Sequence, residues 1–143
     1  MSINQNIKLS ELNPGDSLLN IEKRGNIEFT VWRYQAGHSV MIIYLEIPGE
    51  PNGTEKFYLC FESVEYFDGP MRWEAENLYV STRKECASIL MKMKAYSLVS
   101  HDLLPLHFRL VKINTNYDLE VRIIAAKVTV TQDVSSWIGD DYN

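Results

Sequence analysis

The chain has 143 residues, of which 45% are apolar and 23% charged, and carries a net charge of −5. This length fits one domain that buries a core without disulfides or metal, and the acidity argues against a nucleic-acid surface, which needs clustered Lys and Arg. No apolar run approaches the roughly 20 residues of a membrane helix.

Residues 1–16 read as a lead-in ending in the turn Asn13-Pro14-Gly15-Asp16, where Pro presets φ and Gly is free to take a positive one. From Ser17 the chain becomes strand-like. Ile27, Phe29, Val31 and Arg33 alternate with Glu28, Thr30, Trp32 and Tyr34, a period of two. Ala36-Gly37-His38 then connects to the nearly continuous apolar run Ser39–Ile47, and together these predict a hairpin. Pro48–Gly53 is a loop by composition.

The segment Phe57–Tyr79 is dense in aromatic residues interleaved with carboxylates. Phe57, Leu59 and Phe61 face one way, and Tyr58, Cys60 and Glu62 the other. Val64–Phe67 extends that strand or starts a bent one. Asp68-Gly69-Pro70 is a strong break, and Arg72–Val80 reads as one further strand.

One helix is predicted at about 83–95 on helical spacing. Thr82 and Glu85 fit a capping box, and Cys86, Ile89, Leu90 and Met93 follow at helical spacing, with Ile89, Leu90 and Met93 expected against a sheet. The basic residues Arg83, Lys84, Lys92 and Lys94 form its solvated face. His107–Ile113 and Leu119–Thr131 read as strands. The second is long enough to bend, and Ala125-Ala126 is the expected place.

These elements predict a β-rich α+β domain, mainly antiparallel, built as a sandwich or half-barrel with one principal helix. Its expected organisation is a lead-in over 1–16, one globular domain over 17–134 and a flexible tail over 135–143. The polar opening lacks the apolar core of a secretory signal. With only Cys60 and Cys86, both in apolar surroundings, buried reduced thiols and a cytoplasmic location are expected.

Few residues could carry chemistry. His101, Asp102 and His107 could hold a metal or orient an imidazole, but their spacing matches no ligand motif and reads better as a post-helix loop. His38 sits at a hairpin tip. Glu62, Glu65 and Asp68 lack the spacing of a calcium loop, and no glycine-rich phosphate loop is present. No cofactor and no metal are therefore expected.

Trp32, Tyr34, Tyr66, Trp73 and Tyr79 are the candidate surface. Gathered on one sheet face they would make a platform for a partner, with Trp73 as its anchor between Arg72 and Glu74. The alternative for these rings is core packing. The expectation is a non-catalytic interaction module that binds a protein or self-associates through an acidic, aromatic sheet surface. A small-molecule or carbohydrate binder with a concave aromatic face is the alternative, and an enzyme using His101, Asp102 or His107 comes third.

Overall fold

The computed structural model describes residues 4–18, 27–35, 40–48, 54–75, 78–93, 108–115 and 119–133. Within them the apolar alternations become two antiparallel sheets. Strands β1 (Asn4–Lys8), β2 (Ile27–Gln35), β3 (Val40–Pro48), β4 (Thr54–Glu62), β6 (Arg72–Ala75) and β10 (Lys127–Thr131) form the first, in the order β1-β10-β4-β3-β2-β6. Strands β5 (Tyr66–Asp68), β7 (Tyr79–Val80), β8 (Arg109–Asn114) and β9 (Glu120–Ala125) form the second, in the order β5-β9-β8-β7. The architecture is the expected β-rich α+β one, with a single helix α1 (Arg83–Lys92) among the described residues.

Side chains on the facing sides of the two sheets share one apolar cluster. Phe29, Leu59 and Phe61 from the first sheet and Val111, Val121 and Ile123 from the second are all fully or almost fully buried in it. A second cluster lies on the far side of the second sheet, where Cys86 and Leu90 of α1 meet Leu110 and Ile124. Ile89 and Met93, expected to be buried, are only partly so, because Cys86 and Leu90 carry the sheet-facing stripe. No described helix is long and apolar enough to cross a membrane.

The helix start follows its sequence signal. Thr82 Oγ1 accepts from the Glu85 backbone N–H at 3.1 Å, satisfying one of the orphan donors of the first turn. The Glu85 carboxylate has a different role from the predicted reciprocal bond. It accepts from Ser81 Oγ at 2.5 Å and from Lys112 Nζ at 2.9 Å, tying α1 to the second sheet. Arg109, 1% exposed, donates to the carbonyls of Leu12 at 2.5 Å and Ser81 at 2.8 Å. That clasp joins the N-terminal segment to the helix entry.

Three sequence expectations change here. The lead-in is part of the fold from Asn4, since β1 pairs along its length with β10 and Leu9 is fully buried. Its turn is as expected: Gly15 has φ +91° and Asp16 N–H donates to the Asn13 carbonyl at 3.0 Å. The segment Arg72–Val80 is two strands in different sheets, β6 and β7, rather than one. Arg33 leaves the inward face predicted for it, because the β2–β3 register shifts between Val31 and Arg33 and sets Arg33 opposite Ile42. The tail beyond 133 lies outside the described residues.

The two sheets are joined at a corner used twice. The chain passes from β4 to β5 at Ser63–Glu65 and from β9 to β10 at Ala126, the bend expected from the small Ala125-Ala126 pair. The strands pair on both sides of the corner, Glu62 with Lys127 and Tyr66 with Ile124. Between those pairs Ser63, Val64 and Glu65 stand against Ala125 and Ala126, so one strand carries an extra residue. Ser63 absorbs it in the left-handed region, at φ +56°, the position where a bulge of this kind favours glycine.

A left-handed conformation costs an L-residue about 1–2 kcal/mol, while glycine gives back about 0.5–1 kcal/mol in extra unfolded-state freedom. Ser63→Gly is therefore expected to raise stability by up to about 1 kcal/mol, and the β-branched Ser63→Val to lower it by at least about 1 kcal/mol. Urea melts of the three proteins check this. A Val variant with the wild-type midpoint would remove the strain from the corner.

Candidate functional site

The outward side of the first sheet can be built row by row from its registers. One row crosses the strands as Glu74, Glu28, Glu46 and Lys56. The next is Arg72, Thr30, Tyr44, Tyr58 and Thr131. The third is Arg33, Ile42, Cys60, Thr129 and Asn6. The last includes Glu62, Lys127 and Lys8. An aromatic and apolar band thus runs between two charged rows.

The band is centred on Tyr58, from β4. Its ring lies 5.3 Å from that of Tyr44 on β3 and 5.4 Å from that of Trp32 on β2, both tilted at 48°. Tyr58 and Val40 also pack on Ile42 and Cys60, which are fully buried. Trp32 is the extra residue at the β2 register shift and is 40% exposed. Bulges commonly re-aim a side chain in this way.

Polar contacts hold the rim. Tyr44 Oη donates to Glu46 Oε1 at 2.9 Å. Burial and this carboxylate push the Tyr44 phenol up to about 12, so it stays a neutral donor. Arg72 lies 3.3 Å from Glu28, and Lys127 lies 3.4 Å from Glu62. Burial, with a smaller effect of Glu62, pushes the Cys60 thiol up to about 12. Burial likewise raises Cys86, to about 11. Both cysteines are free and buried, and thiols held so far from ionisation are poor nucleophiles.

The five residues singled out in the sequence do not share a face. Trp32 is in the outer aromatic band. Tyr34 has its backbone in β2 opposite Met41, and its side chain lies outside the described residues. Tyr66 packs with the α1 cluster on the far side of the second sheet. Tyr79 Oη accepts from Asn114 Nδ2 at 3.3 Å at that sheet's edge, opposite Lys112.

Trp73, the expected anchor, is 2% exposed and stacks on Phe29 with ring centroids 5.4 Å apart and planes within 8°. Its position in β6 turns it and Ala75 inward while Arg72 and Glu74 point out. Its Nε1 is buried without a hydrogen-bond partner among the described residues. Trp73 is a core residue, and the charges flanking it belong to the opposite face rather than to a rim around it.

Tyr44 and Tyr58 are the members that the sequence reading passed over. Tyr44 was hidden in an apolar run. The period of two already set Tyr58 opposite Phe57, but its neighbour across the ladder depends on strand order.

The remaining candidates are dispersed or out of view. His38, His101, Asp102 and His107 lie outside the described residues. Glu62 faces outward from the first sheet, whereas Asp68 pairs with Arg122 in the second. Among the described residues no group of three or more His, Cys, Asp or Glu is placed to hold a metal ion.

A second polar cluster lies on the outer side of the second sheet. Lys112 contacts Glu85 at 2.9 Å and Glu120 at 3.2 Å, and Glu120 contacts Arg122 at 2.7 Å. The Ser81 hydroxyl, then the Lys112 ammonium, hold the Glu85 carboxyl below the usual carboxylate range. Glu85 holds Lys112 above its ordinary value. These mutually paired charges fasten α1 to β8. No family model, no curated protein and no solved structure matches this chain.

Two measurements separate these placements. Trp73→Ala is expected to cost about 3–5 kcal/mol, as for other large core truncations, and Trp32→Ala no more than about 1.5 kcal/mol, the scale of one aromatic contact. Equal melting midpoints would contradict that division.

Because the folded Glu85 carboxyl is more acidic than the unfolded one, its stabilisation is present above the ordinary carboxylate range. It is lost as pH falls through the lowered value. Wild type should exceed Glu85→Gln by about 1 kcal/mol at neutral pH, allowing for solvent screening of a half-exposed group. The gap should close below about pH 4, and a gap that widens in acid would reverse the assignment.

Proposed function

We propose that this chain is a non-catalytic interaction module and that it binds a protein surface through the outer face of its six-stranded sheet. The observation that supports this most directly is Trp32. A large indole, 40% exposed, projects from a bulge in a paired strand and leans on Tyr58. Aromatic anchors of this kind, held on a rigid element and surrounded by polar residues, are the usual hot spots of protein interfaces. Glu28, Glu46, Lys56 and Arg72 supply the surrounding polar rim, and the acidic row Glu74-Glu28-Glu46 gives one side of it a sign.

The carbohydrate reading is weaker on the same geometry. A sugar stacks on a flat ring face, and a multi-ring platform for it needs rings near one plane. Trp32, Tyr58 and Tyr44 are each tilted by 48° to their neighbour, which makes a knobbed surface suited to side chains.

The test is capture of binding partners by wild type and by Trp32→Ala/Tyr58→Ala, using protein purified from its native cell under crosslinking. The double variant should keep its fold and lose at least about tenfold in captured partner, the loss of one hot spot of 1.4 kcal/mol or more. Undiminished capture by a folded double variant would move the binding surface elsewhere.

A further inference from the structure

The outer face of the first sheet is not uniformly open. A strip of outward side chains across its middle is closed to water: Thr131 is 4% and Thr129 3% exposed on β10, Cys60 0% on β4 and Ile42 0% on β3. The residues around the strip are exposed. Asn6 lies beside Thr129, Lys56 and Lys127 lie past its two sides, and Trp32 is 40% exposed. Side chains on the outer side of an open sheet stand upright with their tips in solvent. A strip of small ones sealed this completely has something lying on it.

The described side chains cover one end. Tyr58 and Val40 pack on Ile42 and Cys60, and the Tyr58 ring meets those of Tyr44 and Trp32 on β3 and β2. The other end, on β10, is approached by main chain. Thr131 Oγ1 donates to the Asp133 carbonyl at 3.0 Å and accepts from the Asp133 N–H at 3.1 Å. Because Thr131 points outward, this turn brings the chain off the end of β10 onto the outer side of the sheet. Thr129 also spends its hydroxyl within the chain, donating to Asn6 Oδ1 at 2.7 Å, as buried hydroxyls do.

We propose that the occupant of this strip is the chain's own segment 134–138, Val-Ser-Ser-Trp-Ile, with Trp137 and Ile138 laid over Cys60 and Ile42. Its reach is sufficient. Cys60 and Ile42 stand one and two strands from β10, about 5 and 10 Å at ordinary strand spacing. Trp137 follows Asp133 by four residues, which extended chain spans in about 13 Å. The other stretches outside the described residues start elsewhere. Segments 36–39 and 49–53 join neighbouring strands at their ends, 94–107 is anchored on the second sheet's side by α1 and β8, and 19–26 starts from Leu18, bonded to Leu78 beside β7. Only 134–143 leaves from the strip itself. The proposal does not depend on a partner. It confines the part of the face open to one to Trp32 and the charged rows.

The experiment uses the full chain and two readouts, neither of which involves a partner. The first is nuclear Overhauser contacts in the wild type. Contacts from the Trp137 indole or the Ile138 methyls to the Ile42 methyls are expected, and none from residues 134–138 to Ile42 or Cys60 would overturn the proposal. Contacts to those two residues from 19–26 or 94–107 in their place would overturn it as well. The second is labelling of Cys60 by iodoacetamide, with Cys86 under α1 as internal reference. Trp137→Ala/Ile138→Ala should speed Cys60 labelling at least about tenfold by removing its cover, while Cys86 keeps its wild-type rate. An unchanged Cys60 rate overturns the proposal. Should both thiols speed up together, the variant has loosened the whole fold, and the wild-type Overhauser contacts decide. Failure here leaves the capture test of Trp32→Ala/Tyr58→Ala standing, and failure of that test leaves this one standing.

Discussion

The corner at Ser63 and Ala126 is the constraint on which the rest of the structure depends. Two strands cross between the sheets there, and they are each other's neighbours both before and after crossing. Glu62 pairs with Lys127 on one side, and Tyr66 with Ile124 on the other. Backbone bonds close the gap, from Ala126 N–H to the Glu62 carbonyl at 3.2 Å and from Glu65 N–H to the Ile124 carbonyl at 2.8 Å. Leu9 N–H donates to the Ala126 carbonyl at 3.0 Å, so β1 is registered by the same corner. A slip of one residue would turn every side chain of β4 over and exchange Phe57, Leu59 and Phe61 for Tyr58, Cys60 and Glu62 in the core. The corner therefore fixes the outer face as firmly as it fixes the inner one.

The second bulge, at Trp32, solves a different problem. The alternation that turns Ile27, Phe29 and Val31 inward would carry Arg33 into the same apolar cluster. Burying a guanidinium there without partners would cost several kcal/mol. The extra residue reverses the parity, so Arg33 pairs with Ile42 on the outer face and Trp32 is left projecting. Arg109 shows the other way of meeting that cost. It stays buried on β8, and two main-chain carbonyls take its terminal nitrogens. Burial lowers its proton affinity from an ordinary value so high that it remains charged.

Much of this was legible in the sequence because it is local. Alternation in β4 and in β2 as far as Val31 assigned their faces, Thr82 marked the helix start, and Ala125-Ala126 marked the bend. What was not legible depends on neighbours in space. Arg72–Val80 has no composition change at which to cut it, and only the pairing of Ala75 with Ile27 and of Tyr79 with Lys112 assigns its halves to different sheets. Gly69 was read as part of a break, yet its reason is packing: a Cβ there would lie 3.0 Å from Val121. Trp73 misled because Arg72 and Glu74 look the same from sequence whether they ring an exposed indole or occupy the other face of a strand. Tyr44 and Tyr58 come together only through the β3–β4 register.

The two outer faces of the sandwich are built differently. On the second sheet, α1 supplies the apolar cover and the Glu85–Lys112–Glu120–Arg122 chain satisfies the charges with one another. Charges are paired on the first sheet as well, Arg72 with Glu28 and Lys127 with Glu62, so it is the apolar cover supplied by α1 that distinguishes the two faces. On the first sheet the chain keeps a tryptophan in water. An indole that already leans on Tyr58 has surrendered part of its rotational freedom before any partner arrives. Docking therefore costs less ordering entropy than it would for a free side chain. The tilted contact to Tyr58 stabilises the monomer only slightly but sets the ring against that neighbour. On the proposed interaction reading, this preorganisation is what the exposed indole would contribute to docking.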